Sequence, residues 1–415
     1  MQSLYKKHAQ WAAKLEPTWY KLVKGIERRR AIRNRDKFNP SVIGVTGSCG
    51  KSTTTRLISH VLQKAYGENV FERGVDNTQR AVYKSFRKLQ HSGKTLVQEI
   101  SGGGGDGYLE YLLEDVPLDV AVITSIGSEH IKLFSSIDAI TQEKFKVVRA
   151  LRPDGFACLN IDDERLAAQA NAMPEGRKLI TFGQHQDADV RAEVITSNWH
   201  DRLSFHLFVD QRRYVVKTQF VGTLMLTNIL AALAVVVGKG FAVQPAIDAI
   251  ASAEPVQNHL SLEVAQNGRA FLMDAFKAPL WSTKLLIEDL AKIKSGRLVF
   301  VLGQLSETGS GGSVRYRQTI RAAQPHCDLI IGIGGAQSSA AKINAREPEG
   351  NVVACETVED IQRTIAEYAD ALVVVKSSKL AKLWRLFEIN NEPISCNVMP
   401  CRLQVGCAHC PLLRA

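Results

Sequence analysis

The stretch SVIGVTGSCGKSTTTRLISHVLQKAYG, residues 41–67, constrains this chain most. SVIGVT is a short β-branched run that reads as a buried strand, and STTTRLISHVLQKAYG carries apolar residues at helical spacing. A turn between them aims backbone N–H groups and a helix N-terminus at an anion. Lys51 is placed to reach terminal phosphates, and the Ser52 hydroxyl to ligate Mg²⁺. The usual phosphate loop has a glycine five residues before its Gly-Lys pair. Here Val45 stands at that position, and the glycines fall at 44 and 47. The segment Thr46, Gly47, Ser48, Cys49, Gly50, Lys51, Ser52 and Thr53 is nonetheless the candidate cradle for ATP.

Beyond it, strand-like runs (TLVQEI, DVAVITSI, FACLNI, AFLMDAF, RLVFVLG, CDLIIGIGG, ALVVVKSS) alternate with helix-like ones. That alternation predicts an α/β protein with mostly parallel sheets. LSFHLFVD and RYVVKTQF read instead as antiparallel strands, followed by helices near 224–238 and 244–253. The pattern restarts near SAEPVQNH. The expected organisation is a basic helical extension over 1–38, a central P-loop ATPase domain over 39–254, a Rossmann-like α/β domain over 255–390, and a cysteine-rich tail over 391–415. The longest apolar run, LMLTNILAALAVVVG, contains Asn228 and precedes Lys239, which fits a buried helix better than a membrane span.

Charge is unevenly distributed. Residues 1–38 carry 11 Lys/Arg against 3 Asp/Glu, leaving the remainder nearly balanced at 41 against 39. With Trp11, Trp19 and Tyr20 interleaved, this arm reads either as a helix on an anionic membrane surface or acidic protein, or as a helix packed on the body. It lacks the apolar core of a signal peptide, so a cytoplasmic protein is expected, peripheral at the membrane if the arm engages lipid. No specific nucleic acid is expected. Cys49, Cys158, Cys327 and Cys355 are scattered, as in reduced cytosolic chains. Cys396, Cys401, Cys407 and Cys410 crowd into the last 20 residues. Four thiolates at these loop spacings suit tetrahedral Zn²⁺, with His409 as a substitute ligand. An Fe–S cluster is a second reading, although the spacing follows neither common ferredoxin run. Free thiols are the third.

Several separated motifs together resemble the Mur ligase superfamily: GVTGSCGKSTTT, DNTQ (76–79), QEISGGGGDG (98–107), VITSIGSEHIKLF (122–134) with QEKFKVVRAL, LNIDDE (159–164), Asn228, Asp274 in MDAFKAP, and VLGQLSETG (301–309). The last looks most like the branch that adds D-alanyl-D-alanine. The resemblance covers roughly residues 40–385 and implies ATP-dependent acid–amine ligation through an acyl phosphate, with divalent metals neutralising charge. It makes Lys51, Glu99, His130 and Lys144 the catalytic candidates. Glu99 ends a strand, at the sheet edge where ligands bind. With Ser52 it is expected to hold one Mg²⁺, and His130 the second. Lys144 lies fourteen residues after His130, as does the carbamylated lysine in much of that family, with Lys146 as a neighbouring candidate. Asn228 is implied to meet adenine, and Asp274 with Lys277 the ribose and phosphates.

This sequence also departs from the pattern. Leu224-Met225 replaces a His-Asn pair, Lys132 an acidic residue, Ser261 an arginine, and Lys376-Ser377-Ser378 a Lys-Gly-Ser. DAFKAP is one residue short, and a basic stretch of 38 residues is too short for the family's UDP-sugar-gripping domain. The expectation is therefore a ligase with an intact ATP half and an altered substrate half, joining a small-molecule or peptide-like carboxylate to an amine or amino acid. The rival is an ATP-switched regulatory or scaffold protein that uses its basic arm.

Overall fold

The computed structural model describes residues 18–72, 78–102, 108–129, 131, 133–294, 296–306, 311–396, 398, 401, 403 and 407–413. Two sheets organise them. The first has nine strands: β1 (Ser41–Thr46), β2 (Val70–Glu72), β3 (Thr95–Glu99), β4 (Leu118–Ile123), β5 (Leu151–Asn160), β6 (Leu179–Gly183), β7 (Val190–Thr196), β8 (Ser204–Val209) and β9 (Arg212–Lys217). Their spatial order is β2-β3-β1-β4-β5-β6-β7-β8-β9, parallel through β7 and antiparallel across β7-β8-β9. Strands β1, β3 and β4 are almost wholly buried, as in a sheet covered on both faces, although β3 ends in the polar pair Gln98-Glu99. β8 instead alternates inward Phe205, Leu207 and Val209 with half-exposed neighbours, the signature of a one-sided antiparallel edge.

The second sheet comprises β10 (Ser261–Val264), β11 (Ala270–Asp274), β12 (Leu298–Leu302), β13 (Leu329–Gly332), β14 (Val352–Ala354) and β15 (Leu372–Lys376), in the order β10-β11-β15-β12-β13-β14. Only β10 runs antiparallel to its neighbour. The apolar helix Leu226–Gly238 is buried along nearly its full length, which accounts for its hydrophobicity without a membrane. No helix among the described residues is long and apolar enough to cross one.

β1 lies between β3 and β4, so connections leave it toward opposite sides. Such a switch point opens a crevice at the carboxyl ends of the strands. The glycine loop after β1, Glu99 at the end of β3 and the 124–129 segment after β4 all emerge there.

The basic arm resolves toward packing. Residues 18–38 form a helix, and 1–17 lie outside the described residues. Its Arg28 makes a two-pronged contact with buried Asp115 at 2.5 and 2.8 Å, Arg35 donates to the Asp115 carbonyl at 2.5 Å, and Tyr83 donates to the same carboxylate at 2.7 Å. Buried Glu27 returns the favour by accepting from Arg80 and Arg87. Several of the arm's charges are therefore spent on the body. Asp115→Asn should loosen the helix by about 1–3 kcal/mol, because Arg28 and Tyr83 lose a charged acceptor. Hydrogen exchange over residues 18–38 should accelerate while the sheets stay protected; unchanged exchange would refute the anchoring role.

Candidate active site

The loop after β1 turns into the helix Lys51–Tyr66 through Gly50, at φ 80°. A Cβ there would lie 2.1 Å from Asn228 Oδ1, and one on Gly47, at φ 147°, would lie 2.0 Å from Thr124 Oγ1. Both positions demand glycine, on backbone and on steric grounds. The loop's departure from the common glycine spacing thus has a local cause: its glycines sit where β4's exit and Asn228 press on it.

A second loop fixes the first. Ser48 N–H donates to Ser125 O at 2.9 Å, Cys49 N–H to Ser125 Oγ at 3.1 Å, Gly127 N–H to Ser48 Oγ at 2.8 Å, and Thr124 Oγ1 to Cys49 O at 2.5 Å. The LNIDDE segment braces that second loop, since Asn160 donates to Thr124 O at 2.9 Å and Asp163 accepts from Ile126 N–H at 2.7 Å. At the helix start the N–H groups of Lys51, Ser52 and Thr53 have no intrahelical acceptor and point into the crevice. Helix polarity adds to their pull on an anion.

Ser52 Oγ donates to Glu99 Oε2 at 2.7 Å, and Glu99 is itself buried. A hydroxyl and a carboxylate in contact at a sheet edge are hard oxygen donors of the kind Mg²⁺ takes. Lys51 is buried and donates to Gly47 O at 2.7 Å and to Glu129 Oε2 at 2.9 Å. Lys277 donates to the other oxygen, Glu129 Oε1, at 2.8 Å. Lys144, also buried, donates to Gly47 O at 3.1 Å. Three lysines therefore surround one carboxylate.

The charges respond to one another. Burial works against ionising Glu129, yet Lys51, Lys277 and Lys144 together hold its carboxyl far below the usual carboxylate range. Burial also works against the Lys51 charge, and Glu129 and Glu99 more than offset it, so Lys51 stays charged. Lys144 goes the other way: burial, then the Lys51 ammonium, push it down to about 7. Its amine is thus neutral in a large fraction of molecules near neutral pH. Lys146, the alternative candidate, is half-exposed and paired with Glu143 at 2.8 Å and Glu110 at 3.3 Å, away from this pocket.

Asn228 lies against the loop, its Oδ1 accepting from Thr54 Oγ1 at 3.1 Å. Asp274 and Lys376 are register neighbours on β11 and β15, joined Nζ to Oδ2 at 2.5 Å, and Lys376 also reaches Lys277 O at 3.1 Å. Trp281 packs on Gly127, where a Cβ would stand 2.7 Å from its ring. The second sheet thus brings Lys277 and Trp281 to the first sheet's loops. His130, Lys132, residues 76–77 of DNTQ, the glycines at 103–105 and residues 307–309 lie outside the described residues. The four tail cysteines are remote in sequence from this crevice and line one cavity with Lys382 and Arg385. Among the described residues no three His, Cys, Asp or Glu side chains converge as a single ion requires, so the expected tetrahedral Zn²⁺ arrangement, with or without His409, is not formed.

With this geometry in hand, the comparisons are decisive for the middle of the chain. Residues 45–236 match the model of the Mur ligase middle domain. That stretch is similar to the middle domain of the Mur ligases. It contains the glycine loop, Glu99, Lys144 and Asn228. The chain is 26% identical over 343 residues to the UDP-N-acetylmuramoyl-tripeptide--D-alanyl-D-alanine ligase of Mycobacterium tuberculosis, covering 80% of this chain and 66% of that enzyme. It is 28% identical over 317 residues to the UDP-N-acetylmuramyl-tripeptide synthetase 2 of Oceanobacillus iheyensis, covering 71% and 62%. The chain thus spans just under two thirds of the length of these curated relatives. In fold it is similar to MurF from Acinetobacter baumannii (TM-score 0.74, 21% identity, 87% and 80% covered) and to MurF ligase from Thermotoga maritima in complex with ADP (TM-score 0.74, 19%, 88% and 83%).

Glu129 is the site residue that sequence reasoning missed. A signal existed: where the family pattern has an acid two residues after His130, this chain has Lys132, and an acid stands just before the histidine instead. Glu129→Gln should destabilise the protein by on the order of 3 kcal/mol in urea unfolding, because it strips Lys51 of its buried counter-ion. Lys144 gives a pH test of opposite character. Its folded pKa of about 7 lies below the unfolded value near 10.4, so the folded state binds fewer protons between them. In CO₂-free buffer, stability relative to Lys144→Met should rise with pH from about 7 to about 10. A flat difference would mean that the amine is not held neutral.

Proposed function

We propose that this protein is an ATP-dependent acid–amine ligase that forms an amide bond through an acyl phosphate and releases ADP and phosphate. The observation that carries the reading is the Ser52–Glu99 pair beside a loop that accepts from two buried lysines, Lys51 and Lys144, the latter with its pKa brought down to about 7 by burial and by Lys51. A nucleotide switch needs the loop and Lys51; it has no use for a buried neutral amine at the same carbonyl.

The N–H groups at the start of the helix and Lys51 would bind the ATP phosphates, a phosphate oxygen taking over from Glu129 as the partner of Lys51. Ser52 and Glu99 would hold one Mg²⁺, which supplies charge neutralisation at the transferred phosphoryl group. Asn228, beside Gly50, is assigned to adenine, its oxygen accepting from Thr54 and its nitrogen lying 3.5 Å from Met225 Sδ. Asp274 and Lys277 are assigned to the ribose and phosphates. His130 and Lys144 are assigned to the second metal. For Lys144 the chemistry is carbamate formation: the neutral Nζ attacks CO₂, an N–C bond forms, and a proton leaves to solvent. A cation thereby becomes an anionic ligand.

The substrate carboxylate oxygen attacks the γ-phosphorus as the bond to ADP breaks. The amine then attacks the acyl carbon, phosphate departs, and the amine nitrogen loses a proton. The half-exposed Lys277 and Trp281, presented by the second sheet, would close over the first sheet's loops and exclude water from the acyl phosphate. We assign the acid to a cell-wall-precursor-like or other peptide-like carboxylate and the amine to an amino acid or short peptide. The organisation that fits is a packed basic extension to residue 38, an ATP-binding domain over 39–254, a ligase domain over 255–390 and a cysteine tail. A cytoplasmic location fits eight free thiols and an ATP requirement.

Lys51→Ala should lower ADP release at least 10²-fold, since the phosphates lose their main cation. Lys144→Ala should be nearly inactive and partly restored by a short carboxylic acid, and CO₂ depletion should slow the native enzyme. ATP hydrolysis indifferent to any acid and amine would favour the regulatory rival, and AMP with pyrophosphate would point to an adenylating enzyme.

A further inference from the structure

The tail from Asn391 to Leu413 contains, among its described residues, no regular element beyond a single 3-10 turn at Cys407–His409. It is nevertheless pinned back on the body. Cys401 N–H donates to Leu380 O at 2.8 Å, Ser395 N–H to Leu413 O at 2.9 Å, and the Leu413 side chain is buried.

What its side chains surround is a cavity of about 270 Å³, lined by Cys396, Cys401, Cys407, Cys410, Lys382 and Arg385, with aliphatic side chains completing the wall. That is more than an order of magnitude above the roughly 10–15 Å³ that admits one water molecule. A single zinc ion would draw four thiolates to about 2.3 Å from one centre and leave no such space. Here no three donors converge on one point. Four thiols held apart around a void suit a polynuclear centre, whose thiolates attach to different metal atoms.

An independent observation concerns charge. Arg385 is 1% exposed. Its guanidinium donates to Cys396 O at 2.7 Å, to Lys382 O at 3.3 Å and to Ala381 O at 3.5 Å, and its Nη1 lies 3.5 Å from Cys396 Sγ. No carboxylate among the described residues pairs with it. A buried cation without a counter-ion is costly, so the structure calls for an anion beside it. Four thiolates carry four negative charges. A two- or four-iron core only partly cancels them, and the resulting anion sits against Arg385 and Lys382. N–H donors aimed at cysteine sulfur are the contacts such clusters use.

We propose that Cys396, Cys401, Cys407 and Cys410 ligate an iron–sulfur cluster in this cavity, with Arg385 and Lys382 as its counter-charges. Each thiol gives up its proton as its sulfur bonds to iron. The site is separate from the ATP crevice and does not depend on the ligase reading. Binding there would tie the tail to the segment that follows Lys376, which carries Ser377 and Ser378, and would lend folding free energy to a region with little core of its own.

The test uses the full chain, purified anaerobically and also reconstituted with ferrous iron and sulfide. Iron and acid-labile sulfide should be found in equal amounts, at two or four of each per chain, with the charge-transfer absorption of thiolate-bound iron. The paired substitution Cys396→Ser and Cys407→Ser should lower both contents more than tenfold while circular dichroism of the rest is retained. Lys382→Gln should speed loss of the cluster to a chelator several-fold. One zinc per chain without sulfide would overturn the proposal. So would a chain that stays free of iron and sulfide after reconstitution, a measurement on the native protein that no misfolded variant can confuse.

Discussion

Buried Lys51 and Lys144 and the half-exposed Lys277 gather around one buried carboxylate, where two unit charges 4 Å apart interact by about 4 kcal/mol even at an effective dielectric constant of 20. Left alone, they would drive the glycine loop, the helix Ile137–Arg149 and the second sheet apart. Glu129 prevents this by accepting from Lys51 and Lys277 through its two oxygens while facing Lys144. Lys144 does not touch the carboxylate, and burial, followed by repulsion from the Lys51 ammonium, brings its amine down to about 7. A strongly ionised acid and a neutral amine are two consequences of one crowded arrangement.

The same carboxylate joins the two sheets. Lys51 belongs to the first, Lys277 follows β11 of the second, and Glu129 sits between them in the segment after β4. An anion bound at the glycine loop would compete for Lys51, so under the proposed function nucleotide binding and the seating of the second sheet would be coupled through Glu129. Trp281 on Gly127 and the Asp274–Lys376 pair beside Lys277 give that seating its apolar and polar contacts. A packed indole and an ion pair are stable in few arrangements, which suits a domain that must meet the reacting atoms in a fixed geometry.

Charge compensation also governs the ends of the chain. The N-terminal helix is held by its Arg28 on buried Asp115 and by its own buried Glu27 on Arg80 and Arg87. At the other end no carboxylate among the described residues pairs with buried Arg385, which lies next to a cavity lined by thiols.

The sequence by itself determined the parallel α/β architecture, because β-branched runs alternating with amphipathic ones leave few other ways to bury both. It also marked the loop at 46–53, and the neighbourhood of Ser52 and Glu99, because a glycine turn between strand and helix and a carboxylate at a strand end are local signals. The three-residue strands β2 and β14 were not legible, being too short to show a period. Nor was the role of Glu129, since nothing local says that residue 129 will lie between residues 51 and 277. Only the tertiary structure decided that Lys144 rather than Lys146 faces the loop. Two lysines two residues apart on a helix project about 200° from each other, and packing chose which was buried. It likewise decided that the helix Thr18–Phe38 packs on the body and that four cysteines line a space rather than converge on a point. The physical reason is common to all three: charge and sulfur chemistry depend on distances through space, and those are set by packing between segments far apart in the chain.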